Sequence, residues 1–373
     1  MSAMPRPPVR SAPSRLVSAR LAPTAPTVAT AAALVGAVIA AGCASTPAPK
    51  PAPTSVASPA RSAANGSDAA GGGQEALPDL AGATAPTAIP SSVRFDSLEG
   101  PFWVAQGQYL LFSDVVESNG PGAKIYRFTP GTGAVSVEPY PRTPTSTNGL
   151  GVDGRGRLVA CERYNGRVVR LDDATHLTVL AQRWPEASGP DGKPLAAPND
   201  LAIRADGNVY FTDSDWGTRT DLDHAAMAVY RIDPAGALSR ILELTKPNGI
   251  ALSPDGRQLY VGSDTQAKVW RLPLDAAGLP GAPMPFIDAG QVPGGFRVPD
   301  GICIDDAGAL YVTNNDDILR SVVVFDPTGH PRARIRFPAR PSNCTFGGPD
   351  RRTLFVTTLH AVYQLRVPVA GLP

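Results

Sequence analysis

One short unit recurs six times along the chain, and its spacing restricts the possible folds more than any other feature. Its clearest copy is Lys246-Pro247-Asn248-Gly249-Ile250-Ala251-Leu252, followed by Pro254-Asp255-Gly256 and Leu259-Tyr260-Val261. It reads as a polar residue on a loop, a short buried strand, an Asp-Gly turn that needs positive φ, and a returning strand. Further copies are headed by Asn148, Asn199, Asp300 and Asn343, and a looser first copy begins at Glu99. The leading residues Glu99, Asn148, Asn199, Asn248, Asp300 and Asn343 stand 49, 51, 49, 52 and 43 residues apart. With about four strands per period, that spacing predicts an all-β fold, a six-bladed β-propeller. Radial repetition brings the leading residues to one face of a central channel, which is where function is expected.

Before the first repeat the composition changes. Residues 1–27 carry Arg6, Arg10, Arg15 and Arg20 and no acid, and Val28–Ala41 is an uncharged apolar run ending in Gly42-Cys43. A basic region, an apolar stretch too short to span a bilayer and a small-residue end are the marks of a signal peptide over 1–43. Ile39-Ala40-Ala41-Gly42-Cys43 resembles a bacterial lipobox, with Cys43 as the lipidated residue and Ala40 where a larger aliphatic is usual. The expected location is the bacterial cell envelope, as a lipoprotein facing the periplasm or otherwise as a secreted protein. Residues 44–90 are dominated by Ala, Pro, Ser, Thr and Gly and bury too little to offset chain entropy, so they read as a tether. The globular domain is expected over 91–373. The net charge of +1 gives no reason to expect nucleic acid or electrostatic membrane binding, leaving the lipid anchor as the sole membrane contact.

The candidate ring joins two carboxylates, Glu99 and Asp300, to the amides of Asn148, Asn199, Asn248 and Asn343. An all-oxygen set without His or Cys suits a hard divalent cation, Ca²⁺ before zinc or copper. Turn chemistry alone explains a single Asn-Gly or Asp-Gly. It does not explain why the polar residue persists where the glycine is replaced, as at Asn199-Asp200 and Asn343-Cys344. The returning strands should bring their own last residues to the same face: Asp114, Glu162, Asp213, Asp264, Asn314 and Thr358. Cys303 and Cys344 fall on inner strands, where buried free thiols are the ordinary expectation, and no disulfide is anticipated. Ser92–Phe95 is a candidate to close the ring against the last blade.

These residues resemble the gluconolactonase, senescence-marker-protein (regucalcin-like) and luciferin-regenerating superfamily over nearly all of 91–366. The resemblance rests on Leu98-Glu99-Gly100-Pro101-Phe102-Trp103, Pro198-Asn199-Asp200-Leu201, Tyr210-Phe211-Thr212-Asp213, Pro247-Asn248-Gly249, Val298-Pro299-Asp300-Gly301 and Ser342-Asn343-Cys344. It implies a central-channel metal site of Glu99, Asn248 and Asp300, with Asn199 facing metal and substrate. Thr147-Asn148-Gly149-Leu150 with Glu162 is similar to the bacterial gluconolactonase branch. Ala197 stands where some members carry an arginine, and Ser214-Asp215-Trp216-Gly217 departs from the usual loop.

The resemblance implies divalent-metal-dependent hydrolysis of a small-molecule lactone or ester. Asp300 would be the catalytic base, and Asn148, Asn199, Glu162, Asp213 and Asn343 would contact substrate. Two rival expectations remain: a non-catalytic, envelope-tethered binding propeller, and an arylesterase-like or strictosidine-synthase-like enzyme on the same frame.

Overall fold

The computed structural model describes residues 76–115, 124–132, 134–137, 147–185, 192–216 and 223–373. The expected signal peptide, Cys43 and the expected tether up to residue 75 lie outside the described residues. Six four-stranded antiparallel sheets follow one another along the chain. Their first strands are Leu98–Val104, Thr147–Val152, Pro198–Ile203, Pro247–Leu252, Pro299–Ile304 and Pro341–Gly347. Each adjoins the first strand of the next sheet, and the sixth adjoins the first, so the circle closes as a six-bladed propeller.

Every first strand slips register with its partner near its start, between Pro198 and Leu201 or Pro299 and Ile302, for example. The same bulge recurs in blades 2, 4 and 6, and in blade 1 it falls one residue later, with Glu99 still paired to Ser113. A bulge takes two residues out of the ladder and re-aims their side chains. That is how each blade delivers consecutive residues to the axis instead of alternating them between two faces. Gly100, Gly149, Gly249 and Gly301 occupy the second bulge position in four blades, because a Cβ there would strike a neighbouring bulge. A Cβ on Gly249 would sit 2.1 Å from the Asp300 carbonyl oxygen, and one on Gly301 would sit 2.1 Å from Asn343 Oδ1. Only blades 3 and 6 place a side chain there, Asp200 and Asn343. This crowding explains the uneven glycines of the repeat.

Between each pair of adjacent blades lies one apolar cluster. Leu111 and Ile125 of blade 1 meet Leu150 and Ala160 of blade 2, and Leu98 packs with Phe112 and Phe355 across the closure. Polar bonds also tie the blades. Ser113 Oγ donates to the Asn148 carbonyl (2.8 Å), Thr212 Oγ1 to that of Asn248 (2.8 Å) and Thr313 Oγ1 to that of Ser342 (2.7 Å). Ser342 Oγ donates to the Leu98 carbonyl and ties the sixth blade to the first.

Three expectations are corrected. The last blade is closed by Thr87–Ala88 pairing with Val362–Arg366, not by Ser92–Phe95. Residues 76–90 therefore belong to the propeller rather than to a tether: Leu77 and Ile89 are buried and Thr84 bonds to Arg366. The polar composition of 44–90 conceals these two apolar anchors. Cys303 and Cys344 are joined in a disulfide with Cα atoms 5.7 Å apart, because adjacent inner strands bring them face to face. Cys161 is a buried free thiol.

Candidate active site

The first bulge positions converge as the repeat predicts. Glu99, Asn148, Asn199, Asn248 and Asp300 line one cavity of about 400 Å³ at one mouth of the channel. The sixth member is Ser342, not Asn343. The strand of blade 6 carries its ring residue directly after Pro341, as blade 3 carries Asn199 after Pro198. Asn343 is thus the counterpart of Asp200, and these two line a second cavity of about 570 Å³ that opens among the hairpin turns. Asn343 Nδ2 donates to Asp200 Oδ2 at 3.2 Å, joining blades 6 and 3 across the axis.

Glu162 and Asp213 do not line this upper cavity. Asp213 is fully buried, and its two oxygens accept from the backbone N–H groups of Ala196 (2.9 Å) and Ala197 (2.7 Å). Asp114 accepts from the N–H groups of Asp96 and Ser97 through Oδ1 alone, and Asn314 Oδ1 from those of Arg297 and Val298. These side chains clamp the loop entering each inner strand. Glu162 is buried in an ion pair with Arg167 and accepts from Asn165 (2.9 Å). The physical reason is strand alternation: the residue that returns to the mouth lies one position later. Val115, Arg163, Asp264, Asn315 and Leu359, each just past the end of a second strand, all line the upper cavity. Asp264 alone among the expected strand-end residues reaches this mouth, because its strand stops one residue earlier, at Ser263. His360 Nδ1 donates to the Phe95 carbonyl at 2.9 Å.

Burial and mutual repulsion dominate the electrostatics. Burial, reinforced by the charge of Asp200, pushes the Glu99 carboxyl up to about 8, against the Gly100 N–H, Arg163 and Asn343. Burial and the charge of Glu99 push Asp300 well above the usual carboxylate range, with Asn315 opposing. Asp200 is pushed up to about 6 by burial, and burial also raises Asp264. Among the described residues no group of three or more His, Cys, Asp or Glu is arranged as a metal cluster. The donor set is instead two carboxylates with amides, and one amide oxygen, Asn148 Oδ1, is buried without a hydrogen-bond partner. Oxygen donors only and crowded carboxylates fit a hard dication. Around them stand Trp216, Arg163 and Arg340. Lys246 lies 4.9 Å above the Trp216 ring. Ala197 is buried.

A six-bladed propeller with carboxylates and amides gathered at one channel mouth defines the class. Within it, the chain belongs to the SMP-30/gluconolactonase/LRE-like family, whose profile matches residues 98–360. A gluconolactonase of Zymomonas mobilis is 34% identical over 304 residues, 73% of this chain and 79% of that protein. A 6-deoxy-6-sulfogluconolactonase of Pseudomonas putida is 26% identical over 265 residues, 70% of this chain and 82% of that protein. The solved gluconolactonase of Xanthomonas campestris has a TM-score of 0.63 at 29% identity, covering 79% of this chain and 97% of that one.

The raised carboxyls give a signed pH prediction. Between the ordinary Glu value of 4.5 and about 8, the folded state holds a proton on Glu99 that the unfolded state has released. Stability must therefore fall as pH rises through that window when no dication is bound. Chelator-treated protein should lose several degrees of Tm between pH 5 and 8, and Glu99→Gln or added Ca²⁺ should flatten the slope. A Tm that rises across this window in the chelated wild type would contradict the electrostatic picture.

Proposed function

We propose that this protein hydrolyses a small-molecule lactone at the upper cavity with the help of a bound divalent cation, Ca²⁺ being the candidate that the donors favour. Family membership and the gluconolactonase relatives support a lactone-hydrolysing enzyme. The observation that carries the reading is the convergence of Glu99, Asn199, Asn248 and Asp300 on one mouth. These four residues would hold the cation, which would supply Lewis-acid polarisation of the lactone carbonyl and charge for the developing oxyanion.

Asp300 is the general base. It takes a proton from water as the water oxygen bonds to the carbonyl carbon, and the ring C–O bond then breaks. The departing oxygen recovers a proton and the product is a hydroxy acid. Burial makes Asp300 a stronger base than an exposed carboxylate, and the Asn315 amide favours its ionised form. Asn148 Oδ1 offers an acceptor for a substrate hydroxyl. Trp216 supplies a flat wall, and Arg163 and Arg340 supply positive charge for the carboxylate product.

The envelope location is proposed as well. The Cys303–Cys344 disulfide favours an oxidising compartment, which agrees with a signal peptide ending at Cys43. Cys43→Ser should release the protein from the membrane fraction or leave the precursor unprocessed. A wild-type protein found wholly soluble after fractionation would remove the anchor.

Kinetics and Ca²⁺ titration on the same variants separate the roles. Chelation should abolish hydrolysis of δ-gluconolactone, used as the probe, and Ca²⁺ should restore it. Glu99→Gln and Asp300→Asn should each weaken Ca²⁺ binding. At saturating Ca²⁺, Glu99→Gln should regain part of its activity while Asp300→Asn stays roughly 10²–10⁴-fold down, the worth of a general base. Asn148→Ala should raise KM by about tenfold, one hydrogen bond's worth, with Ca²⁺ affinity near wild type. Full recovery of Asp300→Asn in excess Ca²⁺ would leave that residue a ligand only.

A further inference from the structure

Asn315 has no counterpart in the repeat that heads each blade, yet it touches the proposed base directly. It follows the second strand of blade 5, Leu310–Asn314, and lines the upper cavity. Its side-chain Nδ2 donates to Asp300 Oδ2. Its backbone N–H donates to the Val298 carbonyl at 3.0 Å, two residues before Asp300. The preceding Asn314 clamps the same stretch through the N–H groups of Arg297 (3.0 Å) and Val298 (3.1 Å). The chain on the other side is also fixed, since Asp316 accepts from the N–H groups of Ile318 and Leu319. Asn315 is therefore bonded to the very loop that leads into the strand bearing Asp300.

The amide also has one defined way round. Turning it over would set Oδ1 against a carboxylate oxygen, so the nitrogen faces Asp300. Its Oδ1 is then buried and has no hydrogen-bond partner. The corresponding positions in blades 1, 2, 4 and 6 are Val115, Arg163, Asp264 and Leu359, which also line the cavity. None of these four is an amide, so blade 5 alone among them presents an amide donor, beside its own ring carboxylate.

We propose that Asn315 is a positioning residue for Asp300, holding one carboxylate oxygen so that the other stays available for the chemistry of the channel. The inference rests on the lactonase reading for its kinetic effect, but the carboxylate it orients is equally part of the proposed cation site. Partners that orient a ligating or catalytic carboxylate act through geometry, and their loss is felt in affinity and in turnover more than in substrate binding.

The test uses Asn315→Ala and Asn315→Asp, with Ca²⁺ titration by calorimetry, δ-gluconolactone kinetics and Tm measured on each. Asn315→Ala should lower kcat and weaken Ca²⁺ binding by roughly 10–100-fold, with KM changed by less than about threefold. Its Tm should stay near wild type, because Asn315 is only partly buried. Asn315→Asp keeps the shape and removes the donor, so its kcat should fall at least as far as that of the alanine variant. Wild-type kcat in Asn315→Asp would overturn the proposal, since shape alone would then suffice. So would a loss in Asn315→Ala confined to KM, or one that follows a lowered Tm. An active wild type with unchanged Asn315→Ala sinks this inference and spares the lactonase reading. A wild type that binds Ca²⁺ but leaves the lactone intact sinks that reading, and weakened Ca²⁺ binding in Asn315→Ala still supports Asn315. A wild type that does not bind Ca²⁺ overturns the positioning role.

Discussion

Crowding at the propeller axis is the constraint from which the rest of the structure follows. Six inner strands bulge toward one line, and each offers two consecutive residues to it. The first of each pair has room for a side chain at the upper mouth. The second has none in four blades, where a Cβ would collide with the backbone or side chain of the next bulge. Asp200 and Asn343 fill the space those glycines vacate and bond to each other across it. Hydroxyls from Ser113, Thr212 and Thr313 then fix the carbonyl of the next blade's ring residue. At these three positions rigidity comes from a backbone held by the neighbouring blade, not only by its own hairpin.

That rigidity has an electrostatic consequence. Burial raises the proton affinity of Glu99, Asp200 and Asp300, and the charge of Asp200 adds to it at Glu99 as that of Glu99 does at Asp300, an arrangement that costs stability unless a positive charge joins it. Arg163 offsets part of the charge on Glu99. A dication would offset far more, because charge interactions are strong in a partly dehydrated channel. Structural acids elsewhere are treated differently. Asp114 and Asp213 sit at strand ends with backbone N–H groups on their carboxylates. The contrast between satisfied acids and mutually repelling ones separates scaffold from site within a single protein.

Much of this is legible in the sequence. The period of Glu99, Asn148, Asn199, Asn248 and Asp300 leads directly to six blades and to five of the six ring residues, one from each first strand, at the upper mouth. Phase is harder. Asn343 heads its repeat by analogy with the other asparagines, but a glycine-free copy does not say whether Ser342 or Asn343 holds the first bulge position. Glu162 and Asp213 are misplaced by the sequence pattern for a related reason: a strand end uncertain by one residue reverses the face a side chain takes. Asn315 and Arg163 lie one position beyond. Leu77 and Ile89 are hidden because two apolar residues in a long polar stretch have no local periodicity, and their partners are blades far along the chain. The Cys303–Cys344 bond joins strands 41 residues apart, a pairing that only the closed circle makes visible.

The central claim is that Glu99, Asn199, Asn248 and Asp300 together hold a divalent cation at the upper mouth of the channel. Crystals grown with Ca²⁺, with Mn²⁺ exchanged in for anomalous scattering, test it most directly. The expected result is a single strong peak in the upper cavity, with carboxylate oxygens of Glu99 and Asp300 and the amide oxygens of Asn199 and Asn248 roughly 2.3–2.6 Å from Ca²⁺. No peak at that mouth, or a peak held by other residues, would contradict it.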